Sequence, residues 1–373
     1  MSPAATLAPA GASNPLPQGG GVVPFMAATY DYSEPMFADS VTPGASAQDF
    51  THNVTPGGFL RGITLSVTTT TDGAGLVALP DAPWCFFSSL SIESIDGTPL
   101  LYPLPGYSQY LISKFCRPWD EDPEQDPAFS NTATTISFRL RLWLESRMSI
   151  GVVPNTDARA QYRLRYSVSP SANIWSAATT DPVVQVAGYL ETYAQPDGAN
   201  AMGALNQQVP DGLAFQRFTS HEIFPTTGGS QTFMSNRVGN QIRTIILVSR
   251  ATGSAGGGAQ GLRTDLSADP IRWRKDNSQI LVEWRDRADY ETFRFFGPGG
   301  VGDGTQAARP TGVYVFPRWH NPGRREGQPW LDSTQATYLQ YELNGTPSGG
   351  SMEVITEDLA PTTPTPPAYL VGL

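Results

Sequence analysis

The sequence predicts an all-β protein built as two tandem jelly-roll β-sandwiches, each with a short inserted helix. Three observations predict it. First, the chain repeats itself: Leu60, Arg61, Ile63 and Leu65 return as Ile242, Arg243, Ile245 and Leu247 at an offset of 182 residues. Leu100, Leu101, Tyr110 and Phe115 return as Ile280, Leu281, Tyr290 and Phe295 at an offset of 180. Two echoes in one order, at almost one spacing, mark a duplicated domain. Second, charged residues make up only 16% of the 373, against 37 Gly and 33 Pro, which favours short strands and turns over long salt-bridged helices. Third, several segments alternate apolar and polar residues with period two, the pattern of a half-buried antiparallel strand.

Taken in order, residues 1–50 read as an N-terminal arm, partly disordered. Met1 to Gly21 is mostly Ala, Pro, Gly and Ser with no charged side chain, too little apolar surface to order alone. Residues 22–50 add Phe25, Tyr30, Tyr32 and Phe37, which predicts docking on a neighbour. Residues 51–200 form the first jelly roll. Its clearest strand is Thr135 to Glu145, where Ile136, Phe138, Leu140, Leu142 and Leu144 share one face and Ser137, Arg139, Arg141 and Glu145 the other. Tyr162, Leu164, Tyr166 and Val168 alternate likewise against Arg163, Arg165 and Ser167. Further strands are expected at 84–95, 98–102 and 183–193, with turns at Asp96-Gly97 and Pro196 to Gly198. The spacing of Tyr107, Tyr110, Leu111 and Lys114 predicts a helix over 106–115.

A linker at 201–212 leads to the second jelly roll, 213–360. Strands are expected at 213–224, 239–250, 278–284, 312–317, 336–343 and 351–356. Tyr290, Phe293 and Phe296 at helical spacing place the second helix at 286–296. Pro361 to Pro367 opens a Pro-rich tail, 361–373.

Composition narrows the function. The net charge is −10, divided as 9 basic and 18 acidic residues through Asn200 and 15 and 16 after it. Such a chain is not expected to bind nucleic acid directly, because neutralising phosphates takes a surplus of cations. Only Lys114 and Lys275 are lysine, an Arg bias that fits a GC-rich genome. Cys85 and Cys116 form neither a disulfide framework nor a metal spacing and read as reduced thiols. The N-terminus lacks the basic and apolar regions of a signal peptide, and no apolar run nears the roughly 18 residues of a membrane span. Synthesis in a cytoplasm is expected.

No catalytic, cofactor-binding or metal-binding residue is expected. His52, His221 and His320 fall far apart, with no carboxylate at ligand spacing. Asp120 to Asp126 is acidic but lacks the alternating spacing of a calcium loop, so a solvated loop is expected. Glu93 with Asp96, and Glu283 with Asp286, fit a glycosidase carboxyl pair only as any strand end does. Ser, His and Asp occur without a Gly-x-Ser-x-Gly elbow, and the Gly-rich stretches at 256–258 and 297–300 lack a phosphate-loop ending. What stands out is a set of arginines on outward strand faces. Arg139, Arg141, Arg163 and Arg165 read either as a solvated face or as a basic patch meeting a neighbouring subunit.

Gly58 to Ile63, Asp96 to Leu100, Gly106-Tyr107, Arg237 to Arg243 and Trp330 to Gln340 carry a resemblance to a family. Over roughly residues 50–360 the chain resembles the double jelly-roll major capsid proteins of tailless, membrane-containing icosahedral viruses, the tectivirus-like phages. The resemblance implies a structural role without chemistry: pseudo-hexagonal homotrimers that tile a virion capsid. It also implies neighbouring trimers, minor capsid proteins and penton proteins as partners, with the arm reaching neighbours or the internal viral membrane. The alternatives are another virion protein, a spike or penton, and a glycan-acting hydrolase of paired β-sandwiches.

Overall fold

A computed structural model describes residues 25–70, 77–79, 81–116, 135–146, 149–159, 161–177, 181–196, 210, 215–235, 238–252, 261–283, 310–317 and 331–361. A four-residue helix, α1 (Phe25–Ala28), precedes the first sandwich, whose strands are β1 (Asp31–Val41), β2 (Gln48–Asn53), β3 (Phe59–Thr70), β4 (Val77–Ala78), β5 (Phe87–Glu93) and β6 (Pro99–Leu104). Helix α2 (Gly106–Phe115) follows, then β7 (Thr135–Trp143), β8 (Val153–Pro154), β9 (Arg163–Val168), β10 (Trp175–Ala177) and β11 (Val184–Tyr193). One sheet runs β1-β11-β3-β7 and the other β2-β9-β5-β6. Successive strands thus cross between facing antiparallel sheets, the jelly-roll plan. Leu60, Ile63, Leu65 and Val67 of β3 point inward to Leu90, Ile92, Leu164 and Tyr166, all buried in one core.

The second sandwich repeats this order with fewer breaks. Its strands are β12 (Phe215–Ser235), β13 (Gln241–Arg250), β14 (Ile271–Lys275), β15 (Ser278–Glu283), β16 (Val313–Pro317), β17 (Leu331–Asp332) and β18 (Leu339–Pro361). The first part of β12 pairs with the last part of β18, which pairs with β13 and through it β16. The second part of β12 pairs with the first part of β18, which pairs with β14 and through it β15. These are the two strand orders of the first sandwich, each long strand serving both sheets. The two long strands change sheet around Gly228 and Gly229, and between Gly345 and Gly349, all with positive φ. Glycine alone takes that backbone without strain. Sequence patterning reads these glycines as breaks between separate strands.

The repeated segments of the sequence fall on equivalent strands, β3 with β13 and β6 with β15. In each opening strand the arginine sits at a β-bulge: pairing skips from Leu60 to Gly62 opposite β11 and from Ile242 to Thr244 opposite β18. The helix expected at 286–296, the tail 362–373 and most of the linker lie outside the described residues.

One expectation needs correction. The arm expected over 1–50 extends too far, because β1 and β2 are strands of the first sandwich. Residues 31–41 pair with β11 and residues 48–53 with β9. Phe25 is also buried, its ring edge-on to Phe59 and Tyr193 at 5.2 and 5.6 Å. The helix expected at 106–115 is α2, and every one of its residues from Gly106 to Phe115 except Lys114 is buried. Its polar residues Gln109 and Ser113 donate to the Arg141 carbonyl, and Arg250 of the second sandwich stands over Tyr107 on its far side.

Candidate functional site

The second sandwich presents one sheet face to the first. In β13 the residues Ile245 and Leu247 join the second core, whereas Ile246 and Val248 join the core of the first sandwich. Val313 and Val315 of β16 and Ile355 of β18 join it too. A strand buried on both faces loses its alternation, as the apolar run from Ile245 to Val248 shows. Strand β3 keeps its alternation in sequence, with Thr64, Ser66 and Thr68 on the face away from the first core, Thr64 buried and Ser66 and Thr68 half-buried.

Two charged clusters flank this apolar strip. At one end Glu357 Oε1 accepts from Arg217 Nε at 2.7 Å and Arg243 Nη1 at 2.8 Å. The same arginines reach across to the first sandwich, Arg217 donating to the Trp143 carbonyl and Arg243 to the Ser146 hydroxyl. At the other end Arg250 bonds Glu353 within its own sheet and Asp81 of the first sandwich, the latter at 2.6 Å. Arg263 also bonds Asp81, at 2.9 Å, and His221 Nε2 lies 3.0 Å from Glu353. The guanidiniums of Arg250 and Arg263 stand 5.6 and 5.1 Å from the Tyr107 ring of α2.

Burial raises the affinity of Glu357 and Glu353 for protons, but the arginines beside them outweigh it. Arg243 and Arg217 hold the Glu357 carboxyl below its ordinary range, and Arg250 and His221 do the same for Glu353. An apolar strip is non-directional, so charge pairs at both its ends fix how the sandwiches register. The cysteines sit in this region. Burial, then the nearby carboxylates, raises both thiols: Asp81 acts on Cys85 and Glu357 on Cys116. Such thiols stay protonated and unreactive.

The four arginines read as a solvated face or a basic patch lie in two different sheets. Arg139 and Arg141 lie on β7, in the β1-β11-β3-β7 sheet, with Arg139 exposed and Arg141 half-buried. Arg163 and Arg165 lie on β9, in the opposite sheet, and Arg165 pairs with Glu93 at 3.5 Å. Strand parity places each side chain outward; which sheet holds it depends on pairing between distant strands. The buried arginines of the seam escaped sequence reading. Their signal was available, since Arg243 and Arg250 bracket an apolar run too continuous for a one-sided strand.

The candidate carboxyl pair separates by role. Glu93 serves Arg165, and Asp96 caps a turn by accepting from Ser94 and the Thr98 amide. Those hydrogen bonds, led by Ser94, lower the Asp96 carboxyl, the wrong direction for a general acid. His52 lies 2.7 Å from Asp39 and stacks on Phe37, which ties β2 to β1. His320, Asp286, the side chain of Glu283 and the Asp120 to Asp126 loop lie outside the described residues. Among the described residues no three His, Cys, Asp or Glu gather into a metal-holding group.

No protein-family model matches the chain, and no curated protein matches it in sequence. The similarity lies in the fold. The PBCV-1 virus capsid superposes with a TM-score of 0.61 at 8% identity, covering 89% of this chain and 93% of that one. The Sulfolobus Turreted Icosahedral Virus structure gives 0.61 at 11% identity, covering 91% and 95%. The major capsid protein P2 from Bacteriophage PM2 gives 0.50 at 10% identity, covering 90% and 99%. At such identities the likeness establishes the fold: this chain is a double jelly roll.

Proposed function

We propose that the chain is a virion structural protein, the major capsid protein of a tailless icosahedral virus, whose homotrimers tile the shell. The observation that carries this is the packing of two sandwiches of one strand order inside a single chain, a fold shared along about nine-tenths of its length with viral capsid proteins. Three such chains around an axis present six similar sandwiches and a near-hexagonal footprint. Footprints of that shape tile a closed surface, and weak lateral contacts repeated many times add through multivalency. Glu93 and Asp96 hold structural partners, Arg165 and the Thr98 amide, which does not favour that pair as the acid and base of the hydrolase alternative.

Finer partners follow the same reading. Neighbouring trimers, minor capsid proteins and pentons meet the outer edges, and the segment before Phe25 is the part left to reach a neighbour or the internal membrane. The test is negative-stain imaging of the purified chain, alone and at high concentration. Hexagonal plates that pack into hexagonal arrays are expected. Isolated two-lobed particles at every concentration would contradict the proposal.

A further inference from the structure

At one end of the seam a buried arginine holds a donor that nothing in its own cluster uses. The Arg250 side chain is 1% exposed. Its Nε donates to Glu353, and its Nη1 to Asp81 and, at 3.1 Å, to the Gly261 carbonyl. Its Nη2 meets no acceptor among the described residues. The Tyr107 hydroxyl and Trp84 Nε1 of the first sandwich are buried without an acceptor there too. The three side chains are neighbours: the Arg250 guanidinium stands 5.6 Å from the Tyr107 ring, and the Trp84 ring lies 6.4 Å from the same ring. Buried polar groups of native proteins are almost always bonded, so adjacent unspent donors point to a bound water or ion.

The backbone adds to the demand. Tyr107 is the second residue of α2, and Pro105, which caps that helix, has no side-chain bond to give its first turn. The Gln109 amide closes the turn on the Pro105 carbonyl, and the amides before it point out of the helix end. A helix N-terminus carries partial positive charge and favours anions. Burial raises the hold of the Tyr107 hydroxyl on its proton, with Arg263 the strongest charge acting against it, so the group is present as a donor.

What fills this place must accept bonds and need not donate any. A water brings two hydrogens of its own, and the nearest carboxylates are already engaged, Asp81 by Arg250 and Arg263, Glu353 by Arg250 and His221. An anion brings none. The surrounding charge limits it further. Arg250 and Arg263 are balanced by Asp81 and Glu353, so the helix end and the unspent donors are left to hold a single negative charge, too little for a phosphate or sulfate dianion. Arg250 and Glu353, each 1% exposed, also close the place to solvent, which suits one atom better than a bulky oxyanion.

We propose that one small monovalent anion of the halide class, chloride in ordinary buffers, sits between the two sandwiches. Arg250 Nη2 holds it from the second sandwich, and the Tyr107 hydroxyl and the first turn of α2 hold it from the first, with Trp84 Nε1 as a further donor. The ion pins the seam. Arg250 comes from β13, Tyr107 from α2 and Trp84 from the turn before β5, so its set of donors is complete only when the sandwiches are packed together. Binding the folded chain and not the unfolded one, it stabilises the protein by mass action. The site forms within one chain, whatever that chain assembles into.

The test is thermal melting of the full chain in sodium chloride and in sodium gluconate at one ionic strength and pH. Tyr107→Phe keeps the ring and removes only the hydroxyl, so it shares the general effect of each salt with the parent. Replacing gluconate by chloride is expected to raise the melting temperature of the parent more than that of Tyr107→Phe. The variant's dissociation constant for chloride is expected to be about tenfold higher, the effect of losing one hydrogen bond to a charged group. Crystals of the unmodified chain grown with sodium bromide are expected to show an anomalous peak beside Arg250 and Tyr107. Equal responses of parent and variant to the exchange of anion, or bromide absent from the seam, would overturn the inference and leave water as the partner of these donors. Should Tyr107→Phe fail to fold, the bromide position decides alone.

Discussion

Arg61 and Arg243 occupy the same β-bulge in two different sandwiches. Each opens the strand at the centre of its sheet, and each reaches a carboxylate, Glu145 at 2.7 Å for Arg61 and Glu357 at 2.8 Å for Arg243. The surroundings differ. Arg61 lies between the Trp143 and Tyr193 rings at 4.8 and 4.4 Å, at the edge of an open face. Arg243 is closed in by the other half of the chain.

Glu357 compensates two buried guanidiniums at once. Replacing it by Ala leaves Arg217 and Arg243 with uncompensated charge in the seam, a loss of about 3–5 kcal/mol. Glu342→Ala, which breaks a surface pair with Arg272 and Arg274, is expected to cost less than about 1 kcal/mol. Denaturant unfolding of both variants measures the difference; equal losses would mean that the Glu357 cluster contributes no more than a surface pair.

Acid acts through the same cluster. Glu353 and Glu357 are held below their ordinary value of 4.5, so each binds fewer protons folded than unfolded. Their stabilisation is fully present above that value and is lost as the pH falls through the lower folded values. Stability is expected to decline as pH drops from about 5 towards 3. A Glu353→Gln, Glu357→Gln double variant should show a shallower decline, and a slope equal to the parent's would contradict the assignment.

Equivalent positions in the two copies are expected to respond differently. Ile246→Ala removes a side chain buried between the sandwiches and should cost about 2–5 kcal/mol. Ser66→Ala, on the open face, should stay within about 0.5 kcal/mol in the single chain. Melting curves of the two variants decide this; similar costs would mean that the faces are not covered as described.

Much of the fold was legible. Strands β7 and β9 announce themselves because their apolar residues alternate with polar ones, and the duplication links β3 with β13 and β6 with β15. Strand β1 was hidden because Asp31, Ser33, Glu34, Pro35, Asp39 and Ser40 show no alternation, as fits a strand at a sheet edge. Strands β12 and β18 were hidden because their glycines bend them from one sheet to the other. The candidate site was less legible. Parity put Arg139 and Arg165 outward, but no local pattern says that they belong to opposite sheets, nor that the charges of Arg217, Asp81 and Glu353 converge.

Because β1 is part of the sheet, the reach of an N-terminal truncation matters. Removing residues 1–41 strips β1 from β11 and exposes a strand edge, so lowered melting temperature and aggregation are expected. Removing residues 1–24 leaves every described strand in place and is expected to keep the melting temperature. Thermal melting of the two truncations separates them; unchanged stability in the longer deletion would show that β1 adds nothing to the sandwich.

The mass of the purified chain in solution, measured by light scattering across a dilution series, tests the central claim most directly. A species of three chain masses, with single chains emerging only on dilution, is the result the capsid reading predicts. A single chain at every concentration would contradict it.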